Sequence, residues 1–446
     1  MTKMNKRTYL PSLLLHLAVM CAAMQATAQD TLSLETAIQT ALQNNYGIQV
    51  ARLSSEIAEN NAHPGQAGLL PSVSAGAGYT YSNSAVQVSF SSPAIPEVDA
   101  SGVVNQNNNG SLGITYRLFG GFGAANTYKV LRQSAALSRE QTRAAIENTL
   151  TQVIGAYYEV ARLSGAYRIS RETVTVSRES LGRVQNQREF GSANRLAVLN
   201  AEVDLNTDSV NMETALLNLE NARQNLLSLI GDDSGRAFFT TRAVTFISLP
   251  QVEALLPQAI EQNAQVKVAE YNQRIAELNL RVAEAGRYPT LDLSSSYGFN
   301  NANNGPGNIL KTQNTLGFTG GASLNFNLFN GSRTRTSIEN AQVSIASSKA
   351  QYDDALRTLR RDLENALRTY RNSLKIIELE QKSLLAAELN FQSSEERYRL
   401  GQLDNVAFRT AQLNLIQTQN RLNDLRYAAK LTETEILRLS GQLLEE

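Results

Sequence analysis

The stretch "YRLFGGFGAANTYK", residues 116–129, joins two kinds of sequence pattern. Residues 112–118 alternate between apolar and small or polar side chains, as in a strand, and a sustained helical pattern follows the glycines. A dinucleotide-binding site begins in a similar way. However, Asn126 stands where its fingerprint has a third glycine, and no second strand of a βαβ unit follows. The stretch therefore predicts a joint between a sheet and a long helix, and no cofactor.

The chain contains an internal repeat of two long units. Residues 116–231 align with residues 326–441 at a constant offset of 210, so that "YRLFGG" is aligned with "FNLFNG". Upstream the offset is 218, and the longer loop of the first copy accounts for the difference. Each half has the order helix, strand, loop, strand, long helix, helix. The pattern predicts a first repeat over 29–245 and a second over 246–446.

Four strands alternate with period two and are predicted at about 72–90, 109–119, 290–300 and 314–328. Each has an apolar face opposite a face of small and polar residues, which suits a wall between lipid and a wet lumen. A sheet packed on one side would give the same alternation. The Asn-, Gly- and Pro-rich segments 91–110 and 300–314 are typical of hairpin connections.

Long helices are predicted at about 122–190, 192–230, 331–400 and 402–441, and the segment leading to the first strand, about 46–69, also has a helical pattern. Apolar positions recur at steps of four and three, which is a coiled-coil signal. In the second copy these positions are Tyr352, Leu356, Leu359, Leu363, Ala366, Tyr370, Ser373, Ile377, Glu380, Leu384, Ala387 and Phe391. At ~1.5 Å per residue, each longest helix would extend roughly 100 Å.

Residues 1–28 have the pattern of a signal peptide, with Lys3, Lys6 and Arg7 before an apolar run and "ATA" at the cleavage step. The only cysteine, Cys21, lies inside this segment and follows Met20, which predicts a cleaved, unlipidated start. The chain has 41 basic and 41 acidic residues, so nucleic acid is not expected as a partner. The sequence shows no arrangement of side chains typical of a catalytic site and no ligand spacing typical of a metal site.

Outside the signal segment the sequence has no run apolar enough for a membrane helix, so an exported chain of this kind would cross a membrane with strands. Four strands cannot close a membrane barrel, for which eight is the smallest common number. Several copies must then share one barrel, and two, three or four copies would give about 8, 12 or 16 strands. The strand count predicts an oligomer but leaves the number of copies open.

The four points where strands meet helices share a local pattern. Proline ends the ascending helix before each first strand, and an aromatic residue followed by Gly or Asn-Gly precedes each long helix. We interpret these points as the seam between a β-barrel and a helical tube. The residues concerned are Pro71, Phe119, Gly120, Gly121, Pro289, Phe329, Asn330 and Gly331.

The duplicated "LP…strand", "LF(N)G" and "R-x-[FL]-G…VLNA" segments resemble those of the TolC-like outer membrane factor family, over almost the whole chain after residue 28. The resemblance implies a mixed α+β membrane protein that is not an enzyme. Four strands per chain would contribute to a trimeric 12-strand barrel, continuous with a helical coiled-coil tunnel in the periplasm. It also implies outer membrane lipid, a periplasmic adaptor and an inner-membrane pump of the resistance-nodulation-division type as partners, for export of drugs or other small molecules.

Two other functions remain open at this point. One is the outer membrane component of a type I protein secretion system. The other is a structural or adhesive coiled-coil protein of the envelope, although such a protein has no need of four hairpin-paired strands with a lipid-suitable face.

The helical hairpins turn at Gly191 and Gly401, and the resemblance implies that these turns form the periplasmic gate and the adaptor-docking end. Some relatives narrow the pore with acidic residues six and nine positions after the second glycine. Here those positions are Ala407 and Thr410, so an acidic constriction is not expected. The candidate tip residues are Gly191, Asn194, Arg195, Gly401, Asp404 and Arg409, of which the three charged ones could replace the constriction by salt bridging.

Overall fold

The structure is a computed structural model, and it describes residues 31–444 except 93, 95, 236, 237, 242, 243, 307 and 309. The predicted signal peptide, 1–28, lies outside the described residues. The chain divides into two compact units. The helical unit comprises Met1–Arg52, Thr142–Val266 and Leu356–Glu446, and the sheet unit comprises Leu53–Gln141 and Lys267–Ala355.

Fourteen elements follow one another along the described residues. Their bounds are β1 Thr31–Leu32, α1 Leu34–Asn44, α2 Tyr46–Asn61, β2 Ser72–Val88, β3 Val98–Gly120, α3 Gly123–Glu189, α4 Arg195–Ile230, β4 Phe239–Thr240, α5 Val252–Gln262, α6 Ala264–Ala285, β5 Thr290–Asn303, β6 Thr312–Asn325, α7 Arg333–Arg399 and α8 Asn405–Ser440. Among these described helices, none combines the length and the apolar character that crossing a membrane requires.

The sheet unit contains a four-stranded antiparallel sheet in the order β2-β3-β5-β6. The register aligns the apolar faces of all four strands, since Leu112 pairs with Ala75 and with Tyr297, and Tyr297 pairs with Phe318. None of the described residues covers this apolar face, and Phe318 is 71% exposed. The described residues pair β2 and β6 on one side only, so both edges of the sheet are open.

The second strand is longer than predicted. The segment 91–110 was expected to be a hairpin loop, but β3 begins at Val98 and not near 109. Its asparagines pair on both sides, and Asn108 lies opposite Tyr79 in β2 and Asn301 in β5. Backbone hydrogen bonds to two neighbouring strands outweigh the low strand propensity of asparagine, because propensity in strands depends strongly on context.

Smaller corrections apply to other element ends. β6 ends at Asn325 and not at 328, and the predicted helix over 46–69 ends at Asn61. The chain then turns at Pro64 and Gly65, where the backbone N–H of Leu69 donates to the carbonyl of Pro64 at 3.0 Å. Proline cannot continue a helix because it lacks an N–H and its ring crowds the preceding turn.

The coiled-coil spacing identifies the packed side of the longest helices. Every one of the twelve second-copy positions, from Tyr352 to Phe391, is buried or half-buried, and Leu363 and Tyr370 are almost completely so. In the first copy, Val153, Val160 and Val174 are buried on α3. Burying each such side chain contributes about 1.5–3 kcal/mol relative to exposure, so the seam dominates the packing energy of these helices.

The helical unit also contains elements that the periodicity did not predict. β1 and β4 form a short parallel pair, and the hydroxyl of buried Tyr157 donates to the carbonyl of Leu32 at 3.0 Å. Burial and the charge of Glu433 raise the pKa of the neighbouring Tyr158 to about 12. Buried Tyr370 similarly bonds to the Ile247 carbonyl at 2.8 Å and to the Glu433 carboxylate at 2.6 Å. These tyrosines fix the connecting segments against the long helices.

The two strand-to-helix connections use the same backbone solution. Gly121 and Phe122 have positive φ angles of 59° and 61°, and Gly331 and Ser332, at the same positions of the second copy, have 67° and 64°. The two glycines differ in their surroundings. A Cβ on Gly121 would lie 2.7 Å from the Ala285 carbonyl oxygen, whereas a Cβ on Gly331 would meet nothing within 4 Å.

This difference predicts an unequal response to alanine at the two positions. We expect Gly331→Ala to cost about 1 kcal/mol, because only the left-handed backbone is penalised. Gly121→Ala should cost about 2–4 kcal/mol, because overpacking is added to the same penalty. The measurement is the temperature at which the purified variants lose their β-sheet circular dichroism. Equal shifts for the two variants would contradict the crowding at Gly121.

Candidate functional site

The two helical hairpins turn in the same way at their ends. Gly191 and Gly401 follow α3 and α7 with φ angles of 77° and 72°. After the first, the Ser192 N–H donates to the Gln187 carbonyl at 2.8 Å, and after the second, the Gln402 N–H donates to the Arg397 carbonyl at 2.8 Å. This is the glycine-terminated pattern that satisfies the last carbonyls of a helix.

Two of the predicted tip residues cap the returning helices. The Asn194 side-chain oxygen accepts a hydrogen bond from the Ala197 N–H at 2.9 Å, and the Asp404 carboxylate accepts one from the Ala407 N–H at 2.7 Å. A cap of this kind stabilises a helix start by about 1 kcal/mol. Arg195 is exposed, and the described part of the chain gives it no ion pair. Among the described residues of one chain, neither Asp404 nor Arg195 has an ion-pair partner of the kind considered for it.

Arg409 is the tip cation that does form an ion pair. Its guanidinium donates to both carboxylate oxygens of Asp208 on α4, at 2.7 and 2.8 Å, and lies 3.5 Å from Asp204. Asp208 is only 4% exposed and Arg409 only 14%. Two parallel hydrogen bonds between a guanidinium and a carboxylate fix the geometry as well as the charge.

Neutral side chains complete this cluster, which we call the tip network and define as Ser177, Asp204, Asp208, Arg409 and Gln412. The Ser177 hydroxyl on α3 donates to Asp208, and the Gln412 amide of α8 contacts both Arg409, at 2.9 Å, and Ser177, at 3.3 Å. The network thus links α3 and α4 of the first hairpin to α8 of the second.

Electrostatics at the tip network are set by burial and by Arg409. Burial raises the pKa of Asp204 above its ordinary value, against the opposing positive charge of Arg409. Burial alone would lower the pKa of Arg409, but its hydrogen bonds to Asp208 and the two carboxylate charges hold that pKa above its ordinary value. Arg409 therefore stays charged at any physiological pH.

Aromatic contacts connect the hairpins beside the network. Tyr398 of α7 stacks on Phe408 of α8 with centroids 4.5 Å apart and planes at 4°. The Arg183 guanidinium of α3 lies over the Tyr398 ring at 5.4 Å, and the Ser180 and Tyr398 hydroxyls are 3.2 Å apart. The four long helices are thus linked within a few turns of the hairpin ends, because α3 and α8 contact each other and each contacts both α4 and α7.

Ala407 is half-buried and Thr410 is exposed, with its hydroxyl bonded to the Val406 carbonyl at 2.9 Å. Within the residues that the structure describes, no group of three or more His, Cys, Asp or Glu side chains is arranged to hold a metal ion. Asp204 and Asp208 are engaged by Arg409, and Asp404 caps α8. The arrangement can lock helices together by charge, but it offers no ring of carboxylates at these two positions.

The predicted joint residues lie where strands and helices meet. Pro71 and Pro289 immediately precede β2 and β5, and Phe119 and Gly120 are the last residues of β3. Gly120 pairs with Thr290, which brings the connection between β3 and α3 beside Pro289. In the second copy, Phe329, Asn330 and Gly331 lie between β6 and α7, and the Asn330 amide donates to the Thr334 hydroxyl at 2.7 Å.

Sequence reasoning missed most of the tip network, although one signal was present. Ser177 occupies the position between Val174 and Leu181 in the apolar series of α3, and a polar residue on a packed seam indicates a specific partner. Asp204 and Asp208 gave no such signal, because charged residues on a helix are usually solvent-exposed.

Comparisons with known proteins agree with this architecture. The family model described as "Outer membrane efflux protein" matches residues 37–232 and 255–442. The chain is 23% identical over 419 residues to the probable efflux pump outer membrane protein TtgC of Pseudomonas putida, covering 92% of this chain and 83% of that protein. It is also 23% identical over 389 residues to the outer membrane protein TolC of Escherichia coli, covering 85% of this chain and 76% of TolC.

Solved structures share the fold. The Campylobacter jejuni CmeC outer membrane channel superimposes with a TM-score of 0.76 at 16% identity, over 92% of this chain and 86% of that one. The open state of the Neisseria gonorrhoeae MtrE outer membrane channel gives 0.73 at 19% identity, over 92% and 89%.

The tip network predicts a local loss of stability when Arg409 is removed. In Arg409→Met the nearly buried Asp208 carboxylate loses its partner, so we expect opening of the tip to become easier by about 3 kcal/mol. Hydrogen exchange of the amides of residues 400–412 in the purified protein measures this opening. The matched control is Arg195→Met, which removes an exposed tip arginine and should leave the exchange unchanged; equal protection in both variants would refute the role of the ion pair.

Proposed function

The chain belongs to the outer membrane efflux protein family, and we propose that three copies of it form the exit duct of an efflux system in the outer membrane. The duct conducts drugs or other small molecules passively, and a periplasmic adaptor and an inner-membrane pump of the resistance-nodulation-division type supply the substrate and the energy. The family is one of transport channels, and no catalytic role is assigned to this member.

One observation carries the proposal, namely the four-stranded sheet with an uncovered apolar face and two open edges. Unpaired backbone groups are not tolerated in lipid, so β2 and β6 must pair with strands of other copies. Three copies supply twelve strands, within the range of outer membrane barrels. The face of small and polar residues then lines the lumen, where Ser, Thr, Gly and Asn give a wet and largely uncharged path for varied solutes.

Exposed apolar side chains on the helical unit support association as well. On α4 they recur at coiled-coil spacing at Leu196, Leu199, Val203, Val210 and Leu217. α7 carries a second set, Leu379, Leu385 and Leu389. Helices with such stripes normally bury them against another helix. We propose that these two surfaces meet between neighbouring copies and close the helical tunnel.

The tip is proposed as the gate and the adaptor-docking region, formed by Gly191, Asn194, Arg195, Gly401, Asp404 and Arg409. The tip network supports this proposal because it joins the two hairpins of one chain by a charge pair instead of by apolar packing alone. A buried ion pair has a specific geometry and is lost as a unit when its partners separate. Opening of the gate would then break this ion pair and move each helical hairpin as a rigid body.

The remaining assignments follow from the same architecture. Pro71, Phe119, Gly120, Gly121, Pro289, Phe329, Asn330 and Gly331 are proposed to form the seam between barrel and tunnel. The repeats 29–245 and 246–446 would each contribute one hairpin of strands and one of helices to the copy. Residues 1–28 would direct export and be removed.

The function predicts drug sensitivity after loss of the gene and channel activity of the protein. We expect a deletion strain to become more sensitive to a panel of toxic small molecules, and the gene in trans to restore resistance. The purified protein should form ion-conducting pores in planar bilayers. Unchanged sensitivity together with loss of a secreted polypeptide would favour the type I secretion alternative, and a water-soluble monomer without pore activity would favour the structural coiled coil.

The exposed α4 stripe predicts an assembly defect. In the double variant Val203→Glu/Val210→Glu, two charges replace side chains that are 63% and 65% exposed in the single chain and would be buried between copies. We expect most of the trimer to be lost, because an unpaired charge in an interface costs several kcal/mol. Native gel migration and mass measurement in detergent report it. Asn211→Glu, at an exposed position beside the stripe, should keep the trimer, and a trimeric double variant would exclude α4 from the interface.

A further inference from the structure

A cavity of about 470 Å³ opens in the sheet unit between α2, α3 and α6. Its lining combines positive charge with aromatic rings. Among its lining side chains are Tyr128, Lys129, Arg132, Arg139, Tyr271 and Arg274.

The four cations of this cavity differ in their pairing. Arg139 forms an ion pair with Glu59 at 2.7 Å, and Arg274 forms one with Glu270. For Lys129 and Arg132, both exposed, the described residues provide no carboxylate within ion-pair distance. Two uncompensated positive charges, one turn apart on α3, therefore face the same opening, which is suited to an anion.

The position of these two residues relative to the sheet is informative. β3 ends at Gly120 and α3 begins at Gly123, so Lys129 and Arg132 lie roughly 9 and 14 Å along the helix. Side chains on a helix lean toward its N-terminus, which here is the end next to the sheet, so the charged groups reach several Å nearer to it. The headgroup layer of a bilayer extends roughly 5–8 Å beyond the hydrocarbon on each side. Both cations fall within reach of that layer, whereas the paired Arg139 starts roughly 24 Å away.

Exposed aromatic residues mark the level between the strands and these cations. Phe122 is 71% exposed, and Tyr288 and Phe329 are also exposed at the strand-to-helix joints. Aromatic side chains border the apolar band of membrane barrels at the interface with water. The order along the chain is thus apolar strand face, aromatic residues and then unpaired cations, which matches hydrocarbon, interface and phosphate.

The repeat argues that the cations serve more than the scaffold. At the offset of 210, Glu339 stands at the position of Lys129 and Gln342 at that of Arg132. Glu339 is paired with Arg335 at 2.8 Å. The second copy builds the same stretch of helix without a positive charge at these two positions, so packing of the helix does not require Lys129 and Arg132.

We propose that Lys129 and Arg132 bind the phosphate of an anionic phospholipid headgroup in the periplasmic leaflet of the outer membrane, with Tyr128 against the glycerol region. Each chain then holds one such lipid at the base of the barrel. The inference rests on the proposed placement of the sheet in that membrane.

The test uses the purified full-length assembly and two lipid probes, phosphatidylglycerol and phosphatidylcholine, with native mass spectrometry to count retained lipids. We expect wild type to retain phosphatidylglycerol in preference, and 0.5 M salt to weaken this preference. Lys129→Gln/Arg132→Gln should bind phosphatidylglycerol about 25-fold more weakly, at about fivefold per charge. The control Lys349→Gln/Arg357→Gln also removes two exposed charges from a long helix. Lys349 lies roughly 24 Å beyond the start of α7, so this variant should bind phosphatidylglycerol as wild type does.

Three outcomes would overturn the proposal. Equal retention of the two lipids by wild type excludes an anionic headgroup site, and undiminished binding in the double variant excludes these two residues. Displacement of the lipid by free glycerol phosphate at a concentration equal to that of the lipid would assign the site to a soluble anion. If the double variant fails to assemble, the comparison of the two lipids on wild type still decides. Pore conductance in planar bilayers, measured in parallel, separates failure of this inference from failure of the proposed channel function.

Discussion

The structure depends on one constraint, which is that backbone N–H and C=O groups inside a membrane must all be paired. A chain with four strands cannot meet it alone, since in the described part of the chain β2 and β6 each keep an open edge and the apolar face of the sheet is uncovered. In the proposed assembly, identical neighbours complete these hydrogen bonds, and they would also place apolar stripes such as that of α4 beside another helix. Oligomerisation is therefore a consequence of strand number before any helix contact is considered.

The change from strand to helix is the second consequence of the same constraint. Where a strand of a closed barrel continues into a helix, few backbone groups between the two elements can be left without a hydrogen-bond partner. In the first copy two residues of positive φ, Gly121 and Phe122, separate β3 from α3, and in the second copy Gly331 and Ser332 precede α7 in the same conformation. A non-glycine residue in this conformation costs about 1–2 kcal/mol, and its occurrence at matching positions of the two copies indicates that this start of the long helix is worth that penalty.

Most of the helices could be predicted from the sequence, because apolar positions that pack recur regularly along them. The positions from Tyr352 to Phe391 are on the packed side, as a step averaging 3.5 residues requires. The start of β3 was wrong because asparagine propensity says little about a strand that pairs on both sides. The Arg409–Asp208 pair was not predictable either, since its members lie 201 residues apart and a charged side chain on a helix has no periodic signature of burial.

The two copies have kept their packing and lost their polar equivalence. Apolar seam positions persist in both because both must build a hairpin of helices. The specific polar groups do not persist. At equivalent positions of the two copies, Leu199 aligns with Arg409, Thr418 with Asp208 and Glu339 with Lys129. A buried charge is tolerated only with its partner, and the Arg409–Asp208 pair already has one member in each copy, so an equivalent second pair is not required. A scaffold with two similar halves can in this way present single, distinct sites at its tip and at the base of its sheet.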